Sequence, residues 1–265
     1  MLRPRIIPCL LIHKGGLVKT QAFKDARYVG DPINAVKIFN EKEADELMVI
    51  DIDATVNKVE PNFDLIAKLA AECQMPLCYG GGITTAHQVS RIIDMGVEKV
   101  AVSSAAIERP SLLSEMADAV GSQSVVAVAD LRKKTGFFAK GYEVFTHNGE
   151  KKHRIDPAQL ILQFQEAGAG EIVINSIDRD GVMTGYDLGL AKELQSIVKV
   201  PFTFLGGAGS FEHIHALIAQ SGVVGAAAGS FFVFKGKYRA VLISYPTPEQ
   251  KRKLCHSALN EFKKM

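Results

Sequence analysis

The chain repeats itself at an offset of 125 residues, and few folds tolerate such a repeat. Ala44-Asp45-Glu46-Leu47-Met48-Val49-Ile50-Asp51-Ile52-Asp53 returns as Ala169-Gly170-Glu171-Ile172-Val173-Ile174-Asn175-Ser176-Ile177-Asp178. At the same offset Pro76-Leu77-Cys78-Tyr79-Gly80-Gly81-Gly82 returns as Pro201-Phe202-Thr203-Phe204-Leu205-Gly206-Gly207. Val102-Ser103-Ser104 matches Ala228-Gly229-Ser230, and Ile6–Leu11 matches Val125–Asp130 at a slightly shorter spacing. Self-similarity at one fixed period marks an architecture built by duplicating a unit. Here the unit is half the chain, with halves at approximately 1–120 and 121–265. Chance likeness between apolar strands accounts poorly for several segments that agree on nearly one offset.

Strand and helix signals alternate along both halves. Arg5–Leu10, Glu46–Asp51, Pro76–Tyr79, Lys99–Val102, Ser124–Ala129, Glu171–Asn175, Pro201–Leu205 and Gly222–Ala227 are short and mostly continuous apolar runs. Parallel strands covered on both faces look like this. Between them apolar residues recur three or four apart, as in Phe63/Ile66/Leu69/Ala70, Leu112/Leu113/Met116 and Phe211/Ile214/Leu217/Ile218, the period of amphipathic helices. Eight such pairs in 265 residues predict an α/β protein, a single (β/α)8 TIM barrel, a fold that typically takes about 250 residues. An open doubly wound sheet would ordinarily need fewer strands. With no linker rich in Pro, Ser or Gly, residues 1–265 read as one domain.

Composition narrows the function classes. A 47% hydrophobic fraction supports a sizeable core and excludes intrinsic disorder. Thirty-one Lys+Arg against 29 Asp+Glu leave no strong field for nucleic acid or an anionic membrane. No apolar run approaches the roughly 18 residues of a spanning helix. Met1–Arg5 leads into an apolar stretch that His13 and Lys14 interrupt, without a small-residue cleavage site, so no signal peptide is read. Cys9, Cys73, Cys78 and Cys255 are scattered and form no CxxC pair, as in a cytoplasmic protein with reduced thiols.

Barrel chemistry belongs at the C-terminal ends of the strands. Gly80-Gly81-Gly82 and Gly206-Gly207-Ala208-Gly209 fall there, each followed one unit later by a small hydroxyl-bearing turn, Ser103-Ser104 or Gly229-Ser230. Glycine lets backbone N–H groups approach a phosphate, and a helix N-terminus adds donors and a favourable dipole. Tight βα turns alone would also use glycines, but two such sets at matching positions point to a ligand with two phosphates on opposite sides of one mouth. Asp130 ends the fifth strand as a candidate general acid or base, and its counterpart in the first half is Leu11, which transfers no proton. Asp51, Asp53, Ser176, Asp178 and Asp180 also follow strands, and some of these carboxylates will simply cap helices.

At the opposite face Arg5, Glu46, Lys99 and Glu171 begin strands one, two, four and six. Two cations and two anions around a barrel floor can form a stabilising plug or a functional network.

Together these residues resemble the cyclase subunit of imidazole glycerol phosphate synthase, the HisF-type barrel of histidine biosynthesis. The likeness runs from Arg3 to about Phe234 and is most specific at Arg5-Ile6-Ile7-Pro8-Cys9-Leu10, Gly80-Gly81-Gly82-Ile83, Gly121-Ser122-Gln123, Ser176-Ile177-Asp178-Arg179-Asp180-Gly181, Gly185-Tyr186-Asp187 and Gly206-Gly207-Ala208-Gly209. The resemblance implies a HisH-type glutaminase partner docked on the barrel floor, forming a heterodimer. Ammonia released from glutamine would pass a gate at Arg5, Glu46, Lys99 and Glu171 and travel up the barrel interior. It would reach a bisphosphorylated ribonucleotide at the mouth, cleave it and close an imidazole ring. By the same resemblance Glu98 falls at the glutaminase interface and Lys19 on a mobile first loop that meets substrate. Asp51, Gly81, Gly82, Ser103, Ser104, Asp180, Gly181, Gly206, Gly207, Gly229 and Ser230 fall at the substrate and phosphate sites.

The departures from that family sit at the mouth. Leu11 occupies the position of an acid–base aspartate, Ser103-Ser104 replaces the usual Asn-Thr, Leu205 replaces a serine and Asn175 a threonine. Losing one acid–base group commonly forfeits about 10²–10⁴ in rate. The stretch Lys235–Met265 also differs from the shorter family ending. One subgroup resembles this pattern: HisF-like paralogues of bacterial surface-polysaccharide clusters, which work beside a separate amidotransferase as an ammonia source for acetamidino-sugar synthesis. Three other readings stay open. They are an authentic histidine-pathway cyclase working with Asp130 alone, the isomerase one step earlier (against which Leu11 and the floor gate count), and a non-catalytic glutaminase activator.

Other features carry less. His213-x-His215 near the start of a helix does not share a face, so no metal site is expected. His13 and Lys14 lie in the first loop, and the basic runs near Lys133 and Lys151 flank a hairpin-like insertion at Gly136–Lys152. No motif for a nucleotide cofactor, flavin or catalytic metal is present.

Overall fold

A computed structural model describes residues 3–136 and 139–264. Eight parallel strands close on themselves: β1 (Arg5–His13), β2 (Leu47–Asp51), β3 (Leu77–Gly80), β4 (Lys99–Val102), β5 (Val125–Lys133), β6 (Glu171–Ser176), β7 (Phe202–Leu205) and β8 (Gly225–Ala228). Each pairs with its sequence neighbours, and β8 pairs back onto β1 through Arg5↔Gly225 and Ile7↔Ala227. The barrel is a (β/α)8 TIM barrel, as the alternating pattern predicted. Strand bounds shift by a few residues: β8 begins at Gly225 rather than Gly222, and β5 runs on to Lys133.

Helices α1 (Pro32–Glu41), α2 (Phe63–Glu72), α3 (Ala86–Asp94), α4 (Ser111–Val120), α5 (Pro157–Glu166), α6 (Leu188–Gln195), α7 (Phe211–Ser221) and α8 (Pro248–Phe262) ring the sheet. Most start where a side chain accepts from the first-turn backbone: Asp31, Asn62, Thr85, Asp156, Asp187 and Thr247 all do so. Such caps satisfy donors that a helix start leaves orphaned. Buried apolar residues fall into two compartments. The larger lies between sheet and helices, and a smaller one fills the barrel interior.

Three additions decorate the barrel. Gly16–Gln21 and Lys24–Gly30 form an antiparallel hairpin that pairs with the end of β1, Leu11 opposite Val18. Tyr142–Thr146 pairs antiparallel with the extended end of β5, Asp130 opposite Phe145, and Lys151–His153 pairs beyond it. This is the insertion expected at Gly136–Lys152, of which Phe137 and Phe138 lie outside the described residues. The C-terminal segment supplies the eighth helix. Tyr245 donates its hydroxyl to the Ile6 carbonyl (2.7 Å) and accepts from the Asp45 amide (3.1 Å), and Lys251 pairs with Asp45 (2.8 Å). Among the described residues no helix is long and apolar enough to cross a membrane.

Candidate active site and floor

The strand ends of the two halves are near copies. Gly81 (φ 115°) and Gly206 (φ 99°) both take backbone conformations that side chains avoid. A Cβ on Gly81 would strike the Asp51 carbonyl, and one on Gly206 the Ser176 carbonyl at 2.6 Å. Ser103 (φ −122°, ψ −80°) and Gly229 (φ −100°, ψ −80°) each lead into a short helix, Ser104–Glu108 and Ser230–Val233.

The mouth holds a cavity of about 160 Å³ lined by Asp51, Gly81, Gly82, Ser103, Ser104 and Asp130 among others. Asp130 accepts from Asn175 Nδ2 (2.8 Å) and, more distantly, from Ser103 Oγ (3.4 Å). Burial pushes its carboxyl up to about 6, against the pull of those two bonds. Leu11 lines the same cavity. Asp51 uses Oδ1 to accept from the Asp53 and Ala54 amides, at 2.9 and 3.1 Å. Burial raises its pKa against those bonds.

Gly206, Gly207, Gly229, Ser230, Asp180, Gly181 and Lys19 do not line this cavity. They gather on the other side of the mouth, where the first hairpin folds over. Thr20 Oγ1 donates to Asp180 Oδ2 (2.6 Å), and the Ala22 amide donates to the Asp180 carbonyl (2.9 Å). Gly181 packs so closely under the Thr20 carbonyl that a Cβ would not fit. Lys19, expected on a mobile loop, instead sits in a strand, 4% exposed, with Nζ donating to the Cys9 carbonyl beside Gly229. Burial lowers its pKa. Ser230 Oγ is buried with no hydrogen-bond partner in the protein.

The four charged floor residues meet in one ring. Arg5 bonds both Glu46 and Glu171 (2.7 Å to the latter), and Lys99 Nζ reaches Glu46 at 3.1 Å and Glu171 at 2.9 Å. Thr203 Oγ1 completes the ring on Glu171 (2.6 Å). Burial pushes Glu46 up despite the nearby cations. At Glu171 burial is outweighed by the hydrogen bonds and charge of Arg5, and its pKa falls. Above the ring the interior is lined by Ile7, Cys9, Met48, Cys78, Ala101, Val126, Val173 and Ala227, with Leu11, Ile50, Val128 and Leu205 at its upper end. Glu98 is exposed, one residue before Lys99 at the floor.

Several site residues escaped the sequence reading. Thr203 shares the inward parity of β7, a signal visible only once the strand is assigned. Phe23, His147 and Asn148 line the cavity from the two hairpins, and Asn148 Nδ2 reaches the Ile52 carbonyl across the mouth (2.8 Å). Asp53 and Asp178 bond instead to the ends of the neighbouring strands β1 and β5, through His13 Nδ1 (2.7 Å) and the Lys133 amide (2.7 Å). His213 and His215 have separate partners, the Gly209 amide and Ser257.

Residues 5–239 match the family described as "Histidine biosynthesis protein". A Leptospira borgpetersenii protein, provisionally named imidazole glycerol phosphate synthase subunit HisF, is 56% identical over 254 residues, covering 96% of this chain and 99% of its own. A Vibrio vulnificus protein, provisionally named subunit hisF3 of the same synthase, is 54% identical over 96% of each chain. The imidazole glycerol phosphate synthase subunit HisF of Thermobifida fusca is 37% identical over 87% of this chain and 90% of its own. Matches of this extent, on a barrel of this layout, place the chain in the histidine biosynthesis family, among the HisF-type subunits of imidazole glycerol phosphate synthase.

Proposed function

We propose that this chain is the ammonia-receiving, cyclase-type subunit of a glutamine amidotransferase complex, and that it belongs to the paralogous branch that supplies ammonia to a separate amidotransferase. A HisH-like glutaminase docks on the floor around Glu98 and forms a heterodimer with it. Ammonia passes the ring of Arg5, Glu46, Lys99 and Glu171 and rises through the apolar interior to the mouth. There Gly81, Gly82, Ser103 and Ser104 hold one phosphate of a bisphosphorylated small molecule. Lys19, Asp180, Gly181, Gly206, Gly207, Gly229 and Ser230 hold the other, with Asp51 shaping the loop between. Asp130 is the group that moves protons, and Leu11 leaves it without an acid–base partner on β1. The destination of the ammonia is an acetamidino sugar of a surface polysaccharide, made in the cytoplasm.

The observation that carries this reading is the closed four-charge ring at the foot of an apolar interior. A plain barrel core has no use for two buried carboxylates there, because desolvating them is costly. The paralogous branch rests on Leu11, which faces the cavity with Asp130. The numbered name hisF3 of the Vibrio relative fits a protein that exists beside other HisF-type chains.

A second reading, an authentic cyclase of histidine biosynthesis, is favoured by the raised pKa of Asp130, about 6, which suits a proton-transfer group near neutral pH. Ammonium-dependent turnover of the family's bisphosphorylated ribonucleotide separates the two. The paralogue reading expects wild-type turnover at least about 10²-fold below that of Leu11→Asp. Robust wild-type turnover sinks it and makes the chain a working cyclase.

A further inference from the structure

We propose that Asn175 is the residue on which ammonia comes to rest at the top of the barrel interior, its Oδ1 accepting an N–H of the ammonia molecule. The proposal rests on the conduit reading above and adds to it a receiving point that the ring and the phosphate cradles do not supply. Where the interior opens, β1, β2, β5 and β7 present Leu11, Ile50, Val128 and Leu205. One layer above Val128 and Val173 stand Asp130 and Asn175, side by side in register on β5 and β6. Ammonia leaving an apolar passage therefore meets this polar pair first.

The pair is not symmetric. Asn175 Nδ2 donates to Asp130 Oδ1 at 2.8 Å. An ionised carboxylate only accepts, so this bond fixes the amide with its oxygen turned away from Asp130. That oxygen is buried and has no hydrogen-bond partner in the protein, and Asn175 is only 6% exposed. Buried amide oxygens are ordinarily paired, so an unpaired one at a passage exit marks a place for an incoming donor. Space exists beside this residue: Asn175 lines the mouth cavity of about 160 Å³ together with Leu205, Val128 and Asp130. A donor that fits must be small and neutral enough to traverse the interior. Ammonia is both, with three N–H groups and a lone pair left for attack on a carbon above. Asn175 is thus a positioning residue.

The test is an NMR titration of the whole chain with ammonium chloride at two pH values, one on each side of the titration of ammonium itself. The probes are the Asn175 side-chain amide and the methyl groups of Val173 and Leu205. Expected are saturable shifts that follow the concentration of free ammonia, absent with trimethylamine and with sodium chloride, and lost at the two methyl probes in Asn175→Leu. Shifts that follow total salt, or that trimethylamine reproduces, overturn the proposal. So does an unmoved wild-type amide, a readout that needs no variant to fold. Unchanged methyl shifts in a natively folded Asn175→Leu place the ammonia elsewhere and overturn it as well. The titration requires neither glutaminase nor acceptor, so its failure is distinct from failure of the conduit reading, which would show as glutamine-derived ammonia escaping to solvent while the titration still succeeds.

Discussion

Asp130, the carboxylate proposed to move protons at the mouth, sits in an environment that makes a pH-dependent claim. Asp130 is enclosed by the barrel rim and titrates near 6 rather than near its ordinary 3.8, chiefly because burial disfavours the charge. A folded-state pKa above the unfolded one means that the native protein holds this proton more tightly than the unfolded chain. The group's contribution to stability is therefore present below about pH 4 and lost as pH rises through about 6. Asp130→Asn removes the charge but keeps a polar side chain. Urea unfolding should show no difference from wild type near pH 4 and a gain of up to about 2 kcal/mol near pH 8, each pK unit being worth about 1.4 kcal/mol and part of it screened by the open cavity. A variant less stable than wild type at pH 8 would mean that the bonds from Asn175 and Ser103 outweigh burial. Leu11, the other half of this contrast, was legible in the sequence because a strand end is fixed by the repeat. Asn175 was legible only as a departure from its family, since its bond to Asp130 depends on the register between β5 and β6, which no single strand discloses.

Strands with continuous apolar runs and helices with caps were readable along the chain because burial on both faces and an orphaned helix start each leave a local composition. The first hairpin left none. Its second strand, Lys24–Gly30, runs from exposed to half-buried with no apolar face, so neither period 2 nor period 3.6 appears. What holds it is tertiary: Thr20, Ala22 and Phe23 all bond to Asp180, whose carboxyl is itself buried and shifted upward by that burial. The hairpin tip, clamped by this side chain beyond the ladder that ties Gly16–Val18 to β1, should open locally before the barrel unfolds. Asp180→Ala removes the acceptor for the Thr20 hydroxyl and the Phe23 amide while leaving the carbonyl bond to Ala22. Hydrogen exchange at the hairpin amides should quicken by about 10-fold or more, the loss of roughly 1–3 kcal/mol expected when a buried polar partner is removed. Amides of β2 and β3 should keep their protection. Exchange that quickens uniformly across the barrel would show that the hairpin is part of the global unit and not a separable lid.

At the scale of the whole molecule, the barrel is a tube with charge at one end and a mouth at the other, and the ring at the floor ties together strands far apart in sequence. Arg5 on β1, Lys99 on β4 and Glu171 on β6 enclose Glu46 just before β2, so the ring spans both halves of the repeat. Two cations against two carboxylates leave it balanced, and the balance is what makes burying Glu46 and Glu171 tolerable, with side-chain exposures of only 3% and 6%. Lys99→Met preserves the apolar stem and removes one cation, so a carboxylate is left uncompensated in a low-dielectric floor. Breaking a buried pair in this way costs about 3–5 kcal/mol, less here because Lys99 itself reaches partly into solvent. A loss of about 2–4 kcal/mol near pH 8 is expected in urea unfolding. It should shrink as pH falls, because Glu46, already raised by burial, takes up a proton and restores neutrality. A loss that stays constant from pH 8 to pH 5 would mean that the surplus charge is compensated by other groups and that the ring is not the isolated unit its geometry describes. The same variant bears on the proposed passage of ammonia through the floor, since a ring short of one cation no longer closes on itself. In the glutaminase complex, glutamine-driven and ammonium-driven delivery should then diverge from the wild-type ratio, whereas a purely structural plug would lower both together.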